Sequence, residues 1–174
     1  MRILIAYASK YGAAKTCVER LAHALKGKDV TVASLEEQNV DPTPYDVVVF
    51  GSSVYFGKLR PAARRFLATY EQVLCQKQVA LFLCCGLEVE YEYYRDKFFS
   101  PALQSAAFDV MYFGGTLKTQ GLSLWDKLIV RSMRSSLFEA DMDNGEYSPT
   151  YPVILPENVD KLASHIRDQI AHTK

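Results

Sequence analysis

Unbroken apolar runs alternate with amphipathic helical patterns along this chain, and that alternation constrains the fold more than any other feature. Arg2–Tyr7, Asp46–Ser52 and Val79–Cys85 are largely continuous apolar segments, the pattern of strands buried on both faces. Val30–Leu35 alternates apolar and polar residues, which suits an edge strand, and Val110–Gly114 is the fifth run. Between the runs, Ala14–Leu25 places Val18, Leu21, Ala22 and Leu25 on one helical face. Pro61–Val73 opens with proline at a first helical position and aligns Ala62, Phe66 and Leu67. Tyr91–Ala107 predicts a helix interrupted at Pro101, and Pro156–Ala171 carries Val159, Leu162, Ala163, Ile166 and Ile170 in one stripe. The link Glu36–Tyr45 contains Pro42 and Pro44 and has room for little more than one helical turn. Strands alternating with helices imply an α/β fold. The expected form is a doubly wound, five-stranded parallel sheet of order 2-1-3-4-5, with helices on both faces and right-handed crossovers.

A length of 174 residues suits one domain spanning residues 1–174. Twenty Lys and Arg balance twenty Asp and Glu. That balance argues against bulk nucleic-acid binding, which needs a strongly basic face, and against a highly acidic carrier steered at long range. No N-terminal signal pattern is visible, and the longest apolar run, Val79–Cys85, is about a third of the ~20 residues of a membrane helix. The expectation is a soluble, cytoplasmic protein. The cysteines Cys17, Cys75, Cys84 and Cys85 form no CxxC pair, so zinc and thioredoxin-type chemistry have no support. Cys84 and Cys85 close an apolar run and read as buried strand thiols or, alternatively, as a vicinal redox pair.

In doubly wound sheets, ligands bind beyond the C-terminal strand edge, where the first and third strands diverge. Three loops meet at that edge here. The first, Ser9-Lys10-Tyr11-Gly12-Ala13-Ala14, leads from a strand into a helix, whose free backbone N–H groups and positive dipole end make a phosphate cradle. With a single glycine it is neither a P-loop nor a dinucleotide fingerprint, and a mononucleotide is the simplest ligand. The second, Ser52–Lys58, sets Tyr55 and Phe56 before Gly57. These aromatics either stack on a planar ring or pack under the following helix, and Gly57 admits a positive φ. The third, Gly86–Tyr91, again has a glycine and aromatics at a strand end. Its glutamates Glu88 and Glu90, with Glu92, either disfavour an anion nearby or form one solvated side of a helix.

Three segments, Ala6-Tyr7-Ala8-Ser9-Lys10-Tyr11-Gly12, Tyr45–Lys58 and Phe113-Gly114-Gly115-Thr116-Leu117, together resemble the flavodoxin-domain superfamily. The likeness covers most of residues 1–135 and is greatest toward the branch of flavodoxin-like bacterial protoporphyrinogen oxidases. The resemblance implies FMN as cofactor. It assigns the FMN phosphate to Ser9, Lys10, Tyr11, Gly12, Ala13 and Ala14. Ser9 and Gly12 match the family pattern, Tyr11 stands at its second hydroxyl position, and Ala14 replaces its closing threonine. A lost hydrogen bond to a charged group is worth about 1.5–3 kcal/mol. The resemblance also implies an isoalloxazine held between Ser53, Val54, Tyr55, Phe56 and Gly57 on one side and Cys85, Gly86 and Leu87 on the other. The Gly57 region would face the flavin N5.

In that reading the flavin supplies the redox chemistry and the protein tunes it. The implied function is an oxidoreductase passing electrons from an organic substrate to a quinone or another flavoprotein. A soluble electron-transfer flavodoxin is one alternative, and a binding protein of this fold that has lost FMN is another. Lys58, Arg60, Arg64 and Arg65 follow the ring-stacking loop and either receive carboxylates of an acidic substrate or form a solvated helix face. Residues 121–134 place Trp125, Leu128, Ile129 and Met133 on one face, with Lys127, Arg131 and Arg134 off it. That segment either touches a membrane surface, a quinone or an acidic partner, or simply covers the sheet. His23, His165 and His172 fall on helical patterns away from the three loops, and no separate acid–base constellation is apparent.

Overall fold

The computed structural model describes residues 1–86, 88–115 and 153–172. The chain divides into two units, Met1–Thr116 with Pro152–Lys174, and Leu117–Tyr151. All described residues belong to the first, so the basic amphipathic segment 121–134 lies outside them.

In chain order the strands are β1 (Arg2–Ala8), β2 (Asp29–Ser34), β3 (Val47–Tyr55), β4 (Lys58–Leu59), β5 (Gln78–Cys84) and β6 (Ala107–Tyr112). Five of them pair in parallel in the order β2-β1-β3-β5-β6, while β4 pairs antiparallel with the end of β3. Setting that short strand aside, the order is the one the alternating pattern predicts. The helices are α1 (Ala13–Ala24), α2 (Pro61–Leu74), α3 (Tyr91–Phe98), α4 (Pro101–Ala106) and α5 (Pro156–His172).

The two-residue period of each strand sorts its side chains into two cores. Ile3, Ile5, Val47, Val49, Ala80 and Phe82 face α1 and α5 and meet Val18, Leu21, Leu162 and Ile166. Leu4, Ala6, Val48, Phe50, Leu81 and Leu83 face the opposite way and meet Ala62, Phe66, Leu67, Tyr94 and Leu103. The unbroken apolar runs follow directly, because β1, β3 and β5 have no solvent face. β2 closes one edge, as its alternating sequence predicts, with Ala33 buried and Val32 of the other face exposed.

The interruption expected at Pro101 is present, since Phe99 is extended and Ser100 caps α4 by accepting the Leu103 N–H at 3.1 Å. Pro101 then occupies the first turn of α4, where its missing N–H costs nothing. β6 starts at Ala107, where the helical pattern is expected to end, earlier than the expected Val110. β3 also runs three residues past Ser52 to Tyr55. Ser52 and Ser53 stay in register with Leu83 and Cys84 of β5, so ladder pairing overrides their polar character.

Candidate functional site

The first loop forms the cradle its sequence implies. Gly12 has φ 93° and caps α1 without help from any side chain, and the first turn holds no acidic residue. The Gly12 N–H donates to Ser9 Oγ at 3.1 Å, and the Thr16 N–H closes the first helical turn on the Gly12 carbonyl at 2.8 Å. The N–H groups of Ala13, Ala14 and Lys15 therefore have no partner within the helix and are set up to receive an anion. Ala14 itself is fully buried in the core under α1. Its methyl group is a packing feature, and its contribution to the cradle is its backbone.

The second segment is a β-hairpin and not the loop expected over Ser52–Lys58. Tyr55 pairs with Lys58 across the turn, and the two turn residues, Phe56 and Gly57, have φ of 48° and 65°. Positive φ at both central positions is what a two-residue type I′ turn requires. Tyr55 and Phe56 pack on each other with ring centroids 4.2 Å apart. Neither belongs to the core that α2 covers, which rules against packing under that helix. Instead, Tyr55 meets the first loop. Its ring lies 5.4 Å from that of Tyr11, and the two hydroxyls are 3.4 Å apart. The Lys10 Nζ sits 4.0 Å from the Tyr55 ring centroid and 4.9 Å from that of Tyr11, a cation–π arrangement.

The third wall is Cys84, Cys85 and Gly86 at the end of β5. Leu87 lies outside the described residues. Glu88 and Glu92 are exposed, while Glu90 is half-buried and Tyr94 is buried, so the first and last of these glutamates are solvated and Glu90 faces inward near Cys85 and Tyr94. No described carboxylate lines the cavity, and Lys10 contributes a positive charge to it.

The three walls enclose a small cavity of about 50 Å³. Lys10, Tyr11 and Ala13 contribute from the first loop, Ser53, Val54 and Tyr55 from β3, and Cys84, Cys85, Gly86 and Gly115 from the far side. Ligand pockets usually span several hundred Å³; here Lys10, Tyr11 and Tyr55 lean across the opening. Ser53 Oγ is buried in this wall with no hydrogen-bond partner among the described residues, an orphaned polar atom that a ligand group would satisfy. The cavity thus combines an anion cradle, aromatic side chains and a waiting hydroxyl, which fits a phosphorylated planar ligand such as FMN.

The thiols in the wall hold their protons at neutral pH. Burial, reinforced by Glu90, pushes Cys85 up to about 12. Cys84, whose Sγ lies 3.9 Å from that of Cys17, is held well above the ordinary thiol value by that contact and by burial. None of the four cysteines forms a disulfide; Cys84, at the end of β5, and Cys85, just beyond it, are buried as expected. Among the described residues no cluster of three metal-ligating side chains exists. His165 bonds to Asp109 at 2.5 Å and His172 to the Asp168 carbonyl at 2.7 Å, both away from the cavity. Of the basic cluster after the hairpin, Arg60 is tied to Glu36 at 2.7 Å, while Lys58, Arg64 and Arg65 are exposed. No described helix is long and apolar enough to cross a membrane.

The structure brings Lys10, Tyr11, Ala13, Ser53, Val54, Tyr55, Cys85 and Gly86 together at the cavity. Ser9, Gly12 and Ala14 shape the cradle behind it, and Phe56 and Gly57 form the adjoining turn. Cys84 and Gly115 were missed. For Gly115 a signal was present in the double glycine after β6. A Cβ on Gly115 would lie 2.5 Å from the Cys85 carbonyl oxygen, so only glycine lets the two backbones meet.

A doubly wound sheet with a helix-capped anion cradle and aromatic residues at its switch point defines a mononucleotide-binding class of α/β protein. The Flavodoxin domain profile matches residues 4–142, and the chain belongs to the flavodoxin-domain family. Among solved structures it is similar to oxidised flavodoxin 2 from Bacillus cereus, with 21% identity over 80% of this chain and 99% of that one and a TM-score of 0.53. It is also similar to a Fusobacterium nucleatum flavodoxin bound to flavin mononucleotide, with 9% identity over 97% of this chain and 99% of that one and a TM-score of 0.54. A third likeness is to the rubredoxin oxygen:oxidoreductase of the anaerobe Desulfovibrio gigas, at 13% identity and a TM-score of 0.52. That match covers 94% of this chain, which spans 36% of the longer protein. At these identities the likeness is one of fold. No curated protein matches the sequence. The family match reaches the flavodoxin domain and stops short of the protoporphyrinogen-oxidase branch.

Proposed function

We propose that this chain binds FMN at the C-terminal edge of its sheet and works as an electron-transfer flavoprotein. The observation that carries this reading is the convergence, on one cavity, of the uncapped α1 N-terminus, the Tyr11–Tyr55 aromatic pair and the orphaned Ser53 hydroxyl. When bound, FMN supplies the one- and two-electron chemistry. The N–H groups of Ala13, Ala14 and Lys15, with the hydroxyls of Ser9 and Tyr11, hold the phosphate. Tyr55, Phe56 and Gly57 would flank the ring on one side, and Cys85 and Gly86 would do so on the other. Lys10 supplies positive charge at the mouth, which favours the electron-rich form of a ring placed there. A side-chain swing of Lys10, Tyr11 and Tyr55 widens the entrance. The F. nucleatum flavodoxin bound to flavin mononucleotide supports the choice of ligand. Titration of FMN with purified protein should quench its fluorescence with micromolar or tighter affinity, whereas no quenching at about 100 μM protein defeats the proposal.

A finer reading is an oxidoreductase similar to the protoporphyrinogen oxidases, taking electrons from an organic substrate and passing them to a quinone or a flavoprotein partner. The exposed charges of Lys58 and Arg64 near the hairpin support it, since charge-assisted hydrogen bonds to substrate carboxylates need such donors. Arg60 is already engaged by Glu36 and contributes less. Reversal to Lys58→Glu and Arg64→Glu should raise KM for an acidic tetrapyrrole by about tenfold or more while leaving FMN affinity unchanged. An unaltered KM removes the substrate-binding role.

A further inference from the structure

Lys97 does not line the cavity, yet its ammonium reaches the turn that presents Tyr55 and Phe56. Its Nζ donates to the Gly57 carbonyl oxygen at 3.2 Å and lies 3.3 Å from the Tyr93 hydroxyl. It also sits 5.1 Å from the Tyr93 ring centroid and 5.6 Å from that of Phe98, so two aromatic rings of α3 flank it. A second group of α3 stands against the same turn residue, since a Cβ on Gly57 would lie 3.6 Å from the Tyr94 hydroxyl. The helix of the third wall therefore touches the hairpin of the second through a cationic donor and a buried phenol.

The turn is one that needs holding. Phe56 is the one non-glycine residue with positive φ among the described residues. Two-residue type I′ turns favour Asn-Gly, Asp-Gly or Gly-Gly, because a β-carbon followed by a bulky ring is disfavoured in the left-handed region. Such a conformation persists only where its surroundings over-determine it.

We propose that Lys97 is a positioning residue: by donating to the Gly57 carbonyl it locks the Phe56-Gly57 turn in its left-handed geometry and fixes where Tyr55 and Phe56 stand at the cavity mouth. The consequence for ligand binding rests on the FMN reading; the lock itself is a property of the protein alone. Removing the ammonium frees the Gly57 carbonyl, lets Phe56 relax toward negative φ and moves the two rings.

Amide hydrogen exchange across Tyr55–Lys58, measured without ligand, tests the lock. Lys97→Met keeps the length of the stem and deletes donor and charge, and Lys97→Arg keeps both. Exchange in these four residues should be several-fold faster in Lys97→Met, unchanged in β1 and β5, and close to wild type in Lys97→Arg. In a Phe56→Asn background, where the turn residue tolerates the left-handed region, the acceleration by Lys97→Met should shrink toward none. FMN affinity should fall by about two- to fivefold in Lys97→Met, in keeping with an exposed hydrogen bond, and recover in Lys97→Arg. Unchanged exchange in Lys97→Met, no recovery in Lys97→Arg, or equal acceleration in both Phe56 backgrounds overturns the lock. Faster exchange with unchanged FMN affinity overturns the positioning role. If no variant binds FMN but exchange responds as described, the lock stands and the FMN reading falls.

Discussion

Gly51 shows how one residue shapes the ground beneath the site. It sits in β3, between the fully buried Phe50 and Ser52. A Cβ at this position would lie 2.2 Å from the ring of Phe82 on β5. Phe82 in turn stacks on Phe113 with centroids 4.6 Å apart and planes at 20°. A methyl group on Gly51 would drive Phe82 off Phe113 and disturb the end of β5, which supplies Cys84 and Cys85. Gly51→Ala should therefore lower the urea midpoint by an amount equivalent to about 1–3 kcal/mol, the usual cost of overpacking. An unchanged midpoint would show that the ring has room to move. Residue-level features of this kind were only partly legible in the sequence. Ser9, Gly12 and Gly57 could be read because small or hydroxyl residues at strand ends have few other roles. The lean of Lys10 over Tyr55 could not, because side-chain placement depends on a partner 45 positions away in the chain. Ala14 looked like a lost phosphate ligand, yet its full burial makes it a core residue whose N–H still serves the cradle.

At the scale of elements, the strands and helices were legible from period and composition, and the errors fell where tertiary pairing prevails over local pattern. Ser53 reads as loop and is strand, because Cys84 of β5 pairs with it on one side. The hairpin was hidden because Phe-Gly is an uncommon type I′ pair. The helix that follows the third wall carries a testable electrostatic property. Tyr91 donates to the Val110 carbonyl at 2.8 Å and Tyr112 to that of Cys85 at 3.2 Å. Burial pushes Tyr91 and Tyr112 up to about 12, and burial with Glu90 does the same for Tyr94. Together with Cys85, these groups hold their protons in the folded state to about pH 12, against ordinary values of 9.0 for cysteine and 10.0 for tyrosine. Between those limits the unfolded chain binds fewer protons than the folded one, so stability falls as pH rises. Below about pH 9 their contribution is complete. The urea midpoint should be level from about pH 7 to 8.5 and drop between about pH 9.5 and 11.5, less steeply in Tyr112→Phe. A level midpoint across the whole range would contradict the burial of this cluster.

For the whole molecule, the sheet order followed from the spacing of its apolar runs, since three strands without a polar face must lie inside a layered α/β structure. That topology brings Ser9–Ala14, the β3–β4 hairpin and Cys85-Gly86 to one edge, although β1 and β5 are separated by some seventy residues. The flavodoxin-domain match over residues 4–142 shows the family and does not extend to the oxidase branch; residues 121–134 lie outside the described part of the chain. The zero formal charge of the protein makes recognition of any redox partner a matter of local patches and not of long-range steering.

The central claim is that the α1 cradle binds the phosphate of FMN. Parallel titrations with FMN and with riboflavin, which has the same ring and no phosphate, test it most directly. The account predicts that FMN binds at least about tenfold more tightly, because each charge-assisted hydrogen bond in the cradle is worth about 1.5–3 kcal/mol. Equal affinity for the two, or binding of neither, would contradict it.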